Sequence, residues 1–159
     1  MKQISLVLSL VVAGWLARPV LAADAEKLAL DTYTGYFVSN KFEANAPESF
    51  AIATDQDQFD KVFGVAFVMR DKAHRLPKDL FTSNIVAAVV KRGNAVVEYK
   101  VEGATLKDGV VELKYSTTST KHDTATFASP LIVSFPKGKY TAVQFVEDGQ
   151  PVKKVELGK

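Results

Sequence analysis

The chain has no cysteine. That excludes disulfides, thiolate catalysis, Cys-ligated metal, covalent c-type haem and a lipid anchor on a cysteine behind a cleaved leader. Imidazole is nearly as scarce. Only His74 and His122 carry one, whereas tetrahedral zinc takes three or four ligands. The Gly-x-Ser-x-Gly turn that presents a hydrolase nucleophile is missing, so Ser116, Ser119 and Ser129 stand without a recognisable base. Asp55, Asp57 and Asp60 lack the glycine and closing glutamate of an EF-hand loop. They read instead as the negative first half of a helix.

What is present begins with an address. Met1 and Lys2 form a short positive start, and Ile4 to Leu16 is apolar apart from Ser and Gly. Arg18 and Pro19 break the run, and Val20-Leu21-Ala22 forms a small-residue cleavage site before Ala23. This is the layout of a secretory signal peptide over residues 1–22. The run is shorter than the ~20 residues of a bilayer span. The expected product is a soluble periplasmic or extracellular protein with no stable membrane insertion after cleavage. Residues 23–159 then form one domain of 137 residues, enough to bury a core without crosslinks. Removing Lys2 and Arg18 leaves 18 basic and 18 acidic residues, although the whole chain carries +2 and a pI near 8.7. A neutral domain gives no reason to expect nucleic acid or an anionic membrane as partner. The short positive start and the missing cysteine suit a bacterial envelope.

The mature part reads as strands. Ala23 to Leu30 suggests a frayed helical turn, and Thr32 to Phe42 is aromatic and β-favouring up to Asn45-Ala46-Pro47. Ser49 to Thr54 is a short strand with Phe50 and Ile52 on one face. A helix follows near 55–63, with Thr54 as cap, Asp57 three residues on, Phe59, Val62 and Phe63 on one face, and Gly64 as the stop. Val65 to Met69 reads as a strand and Arg70 to Asp79 as a charged loop. Ile85 to Val90 is apolar throughout, as in a strand covered on both faces. Lys107-Asp108-Gly109 and Asp148-Gly149 are turn signals. About eight strand-like runs and one helix predict a mainly β domain, an antiparallel β-sandwich or partly closed barrel with one short α-helix. Its expected core is Phe59, Val62, Phe63, Val86, Val89, Val97, Tyr99, Leu113, Val133, Val143 and Phe145.

Two surfaces are candidate binding sites. Residues 116–126 are rich in Thr and free of Gly and Pro, which fits an exposed loop or an edge strand. Thr118, Lys121, His122, Asp123 and Thr124 are its candidate partner contacts. Proline at Thr118 and Thr124 is expected to remove two backbone donors from that edge. Arg70, Lys72 and Arg75 make the second surface, in a loop that can meet an anionic partner. His122 and Asp123 are also the candidate groups of an alternative reading, a small metal-assisted or hydrolytic enzyme with His74 as a further participant. The aromatic group Tyr33, Tyr36, Phe37 and Phe42 lines either core or a partner surface.

The order Asp57-Gln58-Phe59-Asp60-Lys61-Val62-Phe63, then Leu80 to Arg92, the hairpin Val97 to Tyr115, Ser129-Pro130-Leu131 and Gln144-Phe145-Val146 resembles the C-terminal domain of the PrcB family of exported bacterial proteins. The resemblance covers residues 48–147. The family's Thr-Gly-Gly segment is replaced by Lys91-Arg92-Gly93-Asn94-Ala95. The resemblance implies no catalytic residue. The combined expectation is an exported, non-enzymatic protein- or ligand-binding module with a protein partner in the cell envelope and no cofactor.

Overall fold

A computed structural model describes residues 25–67 and 73–158. Strands make up 58% of them and helix 9%, a mainly β fold in stacked layers. In chain order the elements are β1 (Glu26–Leu28), β2 (Asp31–Thr32), β3 (Tyr36–Val38), β4 (Glu48–Ala53), α1 (Gln56–Val62), β5 (Phe63–Val65), α2 (Leu80–Ser83), β6 (Asn84–Gly93), β7 (Ala95–Lys107), β8 (Val110–Lys121), β9 (Phe127–Pro136), β10 (Ala142–Glu147) and β11 (Gln150–Glu156).

One sheet has the order β1-β7-β8-β10-β11 and faces a second, β2-β9-β6-β4, with β3 and β5 forming a small ribbon. The inner layer between the two large sheets holds Val89, Val111, Leu113, Tyr115, Val133, Phe135, Val143 and Phe145. The other face of the four-stranded sheet is covered by α1, the β3–β5 ribbon and α2. Phe59, Val62, Phe63 and Leu80 pack there on Val86, Ala88, Val90 and Ile132. β6 is therefore buried on both faces, which is why its sequence shows no polar alternation. Of the expected core only Val97 and Tyr99 are half-buried, because both stand near an open end of the sandwich.

Several local expectations change. Residues 26–28 pair with β7 as a strand, not a helical turn. The stretch 32–42 is split by Gly35, whose φ of +82° turns the chain between β2 and β3. Asp55, not Thr54, caps α1: its carboxylate accepts the Gln58 N–H at 2.8 Å, and the Gln58 side chain accepts the Thr54 N–H at 3.0 Å. Gly64 does not stop the helix, since Phe63 is already extended and leads into β5. The second helix, α2, is one turn long. Among the pairings, β8–β10 is parallel. The chain leaves β8 for β9 in the opposite sheet and returns as β10 beside β8, so the two run the same way. The segment expected as strand at residues 68 and 69 lies outside the described residues.

Candidate functional site

The inward stripes of the strands change character at one end of the sandwich. On β4 the stripe runs Ile52, Phe50, Glu48; on β6 it runs Ala87, Val89, Lys91. On β9 it ends in Ser129, on β10 in Glu147 and on β8 in Thr117. Because side chains alternate with period two, adjacent pairing places all these ends in one layer. Glu48 stands opposite Lys91, Lys91 opposite Ser129, Glu147 opposite Tyr115, and Thr117 opposite Tyr99.

Lys91 is the hub of this layer. Its ammonium hydrogen-bonds and ion-pairs with Glu147 Oε1 and lies 3.5 Å from Glu48 Oε1. Thr117 Oγ1 donates to Glu147 Oε1 at 2.9 Å, and the Tyr115 hydroxyl lies 3.4 Å from Oε2. The Tyr99 hydroxyl donates to the Ser129 carbonyl at 2.9 Å, while Ser129 Oγ accepts the Val97 N–H at 3.0 Å. Glu48 Oε1 is buried and accepts no hydrogen bond among the described residues. Burial pulls the Lys91 pKa down, but the hydrogen bond and charge of Glu147, with Glu48, outweigh it and hold the ammonium above the ordinary lysine value. Burial pushes the Tyr99 and Tyr115 phenols up, and the nearby carboxylates add to that. Near neutral pH the layer thus offers a fixed cation and neutral hydroxyl donors. Such groups orient and bind; a lysine held charged is a poor base or nucleophile.

Outside this layer a cleft of about 470 Å³ opens between the far half of β8 and the β6–β7 corner, bordered by Pro47, Glu48, Lys91, Val97, Thr117 and Ser119. Arg92 reaches this rim but points through the opposite face of its sheet. There its guanidinium donates to the Phe42 carbonyl at 2.8 Å, the Ala46 carbonyl at 3.2 Å and Ser49 Oγ at 2.6 Å, fixing the loop before β4.

The stretch 116–126 divides in two. Residues 116–121 belong to β8 and pair with β7 through Lys121 opposite Ala95. On its other side β8 pairs with β10 only as far as Tyr115 opposite Glu147. The Asp148 N–H bonds the Tyr115 carbonyl at 2.9 Å, and Asp148 Oδ1 accepts the Thr117 N–H at 3.3 Å. Odd-numbered residues of β8 therefore turn their backbone groups away from β7, and even-numbered ones toward it. Thr118 is the wrong place for a test of the free edge, since its N–H faces Glu98 on β7; Thr124 lies past the strand. The outward groups belong to Thr117, Ser119 and Lys121.

His122 continues the ribbon by one N–H bond to the Asn94 carbonyl at 2.7 Å, and its ring lies 4.9 Å from that of Phe127. Asp123 is exposed beyond it. His74 is placed elsewhere: its Nε2 is within hydrogen-bond distance of the Asp31 carboxylate at 3.2 Å, and its ring stacks on Tyr33 at 5.2 Å. That hydrogen bond holds the Asp31 carboxyl below its usual value. The two histidines share no partner in the contacts described, and among the described residues no group of three His, Cys, Asp or Glu is arranged to hold a metal ion. Arg75 donates to the Ala66 carbonyl at 2.8 Å and lies over the Phe67 ring, so it helps hold its own loop. Arg70 and Lys72 lie outside the described residues. Of the aromatic group, Tyr33 is buried, Tyr36 and Phe42 are half-buried, and Phe37 is exposed.

The charged layer is not legible as a motif, because its members are spread from residue 48 to residue 147. A signal existed: Glu48, Lys91 and Glu147 each sit two residues from Phe50, Val89 and Phe145, on the apolar register of a strand. Comparison with protein-family models, curated proteins and solved structures finds no match to this chain.

Proposed function

We propose that this chain is an exported, non-enzymatic binding module of the cell envelope. It captures an extended segment of a partner protein by strand addition to the outer edge of β8 at residues 117–121. One observation carries this reading: β8 continues with β7 to Lys121, while β10 beside it ends at Glu147. Beyond the Thr117 N–H, which Asp148 Oδ1 already holds, the outward backbone groups of Ser119 and Lys121 form a short docking rail. Of the two outer strands of this sheet, β11 is guarded by Pro151, Lys153 and Lys154, and β1 is only three residues long. The resemblance read in residues 48–147 to the PrcB C-terminal domain implies export and implies no catalytic residue.

The test is a pair of proline variants. Ser119→Pro removes an outward N–H and leaves the β7 ladder whole; proline is tolerated at such edge positions. Thr118→Pro breaks the ladder itself. Partner capture from an envelope extract is expected to disappear with Ser119→Pro while the circular dichroism spectrum stays unchanged. Capture that survives a folded Ser119→Pro protein rules out docking at this edge.

A further inference from the structure

A second cleft, of about 520 Å³, lies between the loop 39–47 and the paired ends of β6 and β9. Its volume suits a small molecule. Arg92 is the only charged residue in its lining. This half-buried guanidinium forms no ion pair among the described residues. Its hydrogen bonds go to neutral oxygens, the Phe42 and Ala46 carbonyls and Ser49 Oγ, and take both Nη1 donors and one Nη2 donor. A guanidinium carries five N–H groups, so the Nε–H and one Nη2–H remain. Nε and Nη2 are neighbouring nitrogens, the spacing at which arginine grips both oxygens of a carboxylate. The loop itself is held in one shape. Arg92 fixes Phe42 and Ala46 on either side of Glu43, whose φ of +41° is a left-handed conformation that glutamate rarely takes. The Ala46 N–H bonds the Glu43 carbonyl at 2.9 Å, and the Arg92 N–H bonds the Pro47 carbonyl at 2.8 Å. Strain of this kind gathers at ligand sites, and a preformed site costs less to occupy. Asn40, Asn45 and Thr126 line the same cleft, with exposed side chains that hydrogen-bond nothing among the described residues.

We propose that this cleft binds a small hydroxylated carboxylate of the sugar-acid class. Arg92 takes the carboxylate through its two remaining N–H groups, where no protein carboxylate competes. The Asn40 and Asn45 amides and the Thr126 hydroxyl can each donate and accept, as the hydroxyl groups of such a ligand require. Phe127 supplies an apolar wall for its carbon-bound face. Selection follows from the same lining. A cation would be repelled by the guanidinium, and a neutral sugar would leave its charge unmatched. A bare carboxylate would leave the amides and the hydroxyl unused. A phosphate dianion would bring a second charge for which the lining holds no second cation. The site is separate from the β8 edge and does not depend on docking there.

The experiment titrates D-glucuronate and D-gluconate, a ring and an open-chain sugar acid, into the isotopically labelled mature chain and follows backbone amide shifts by NMR. At least one should give saturable changes confined to residues 39–47, 92–94 and 126–128. D-glucose, acetate and inorganic phosphate should each bind about tenfold more weakly than that sugar acid. Arg92→Lys keeps the charge without the fork and should weaken the sugar acid about tenfold. Asn40→Ala combined with Asn45→Ala leaves every Arg92 bond in place and should weaken it about fivefold. Acetate or phosphate binding as tightly as the sugar acid would show a site for anions in general and overturn the proposal. Glucose binding as tightly would remove the role of Arg92 and overturn it too. So would the absence of saturable shifts with both sugar acids, or shifts centred elsewhere. Unchanged affinity in a folded Arg92→Lys chain would also overturn it. If Arg92→Lys fails to fold, as judged by circular dichroism, the double asparagine variant decides, and unchanged affinity there overturns the proposal.

Discussion

Lys91 illustrates how one residue can hold a layer together without adding much net stability. Its ammonium and the Glu147 carboxylate lose water on folding, and their attraction has to offset that cost. Removing only the cation leaves Glu48 and Glu147 facing each other, half-buried. Lys91→Met is expected to destabilise the fold by about 2 kcal/mol, below the full cost for a deeply buried pair because water still reaches the site. Adding Glu48→Gln and Glu147→Gln to Lys91→Met should recover most of that loss, measured by urea unfolding. If the triple variant were no more stable than the single one, the charges would not be the cause. The same layer sets an alkaline limit. Lys91, Tyr99 and Tyr115 all have folded pKa values raised above their unfolded ones. A raised group contributes stability that is complete below its unfolded pKa and lost as pH rises toward the folded value. Stability should therefore fall from about pH 10 upward. Tyr99→Phe should flatten that fall while costing about 1 kcal/mol at neutral pH through the lost bond to Ser129. Urea midpoints from pH 8 to pH 11 check both signs.

At the scale of elements, the strands were legible and their partners only partly so. Val97, Tyr99 and Val101 alternate with Glu98 and Lys100, which marks a strand with one wet face. Lys107-Asp108-Gly109 marks the hairpin, and there Asp108 and Gly109 do adopt φ of +51° and +77°. Gly109→Ala should cost about 1 kcal/mol, because an L-residue is strained in the left-handed region; a thermal melt reads it. The cap of α1 was misplaced by one residue, since Thr54 and Asp55 are both good caps and only the folded geometry chooses between them. Asp55→Ala should therefore destabilise by about 1 kcal/mol and Thr54→Ala by less. The parallel pairing of β8 with β10 was beyond local reading. It depends on β9 crossing to the opposite sheet, and no residue within β8 or β10 encodes that. The charged layer was hidden for the same reason: Glu48, Lys91 and Glu147 become neighbours only once three strand registers are set.

For the whole molecule the question is where the folded unit begins. β1 starts at Glu26, and its Leu28 is buried in the inner layer while Lys27 pairs with Thr105 of β7. Cleavage before Ala23 leaves that strand whole, with three residues ahead of it; cleavage several residues later would remove a covering strand from the edge of β7. Without cysteine the chain has no disulfide to rely on, so its stability has to come from the two hydrophobic layers on either side of the four-stranded sheet. N-terminal sequencing of exported material is expected to begin at Ala23, or close by at Asp24 or Glu26. Recovery of an intact chain starting at Met1 in the membrane fraction would overturn the cleaved-export reading, and with it the proposal that the β8 edge meets its partner in the envelope.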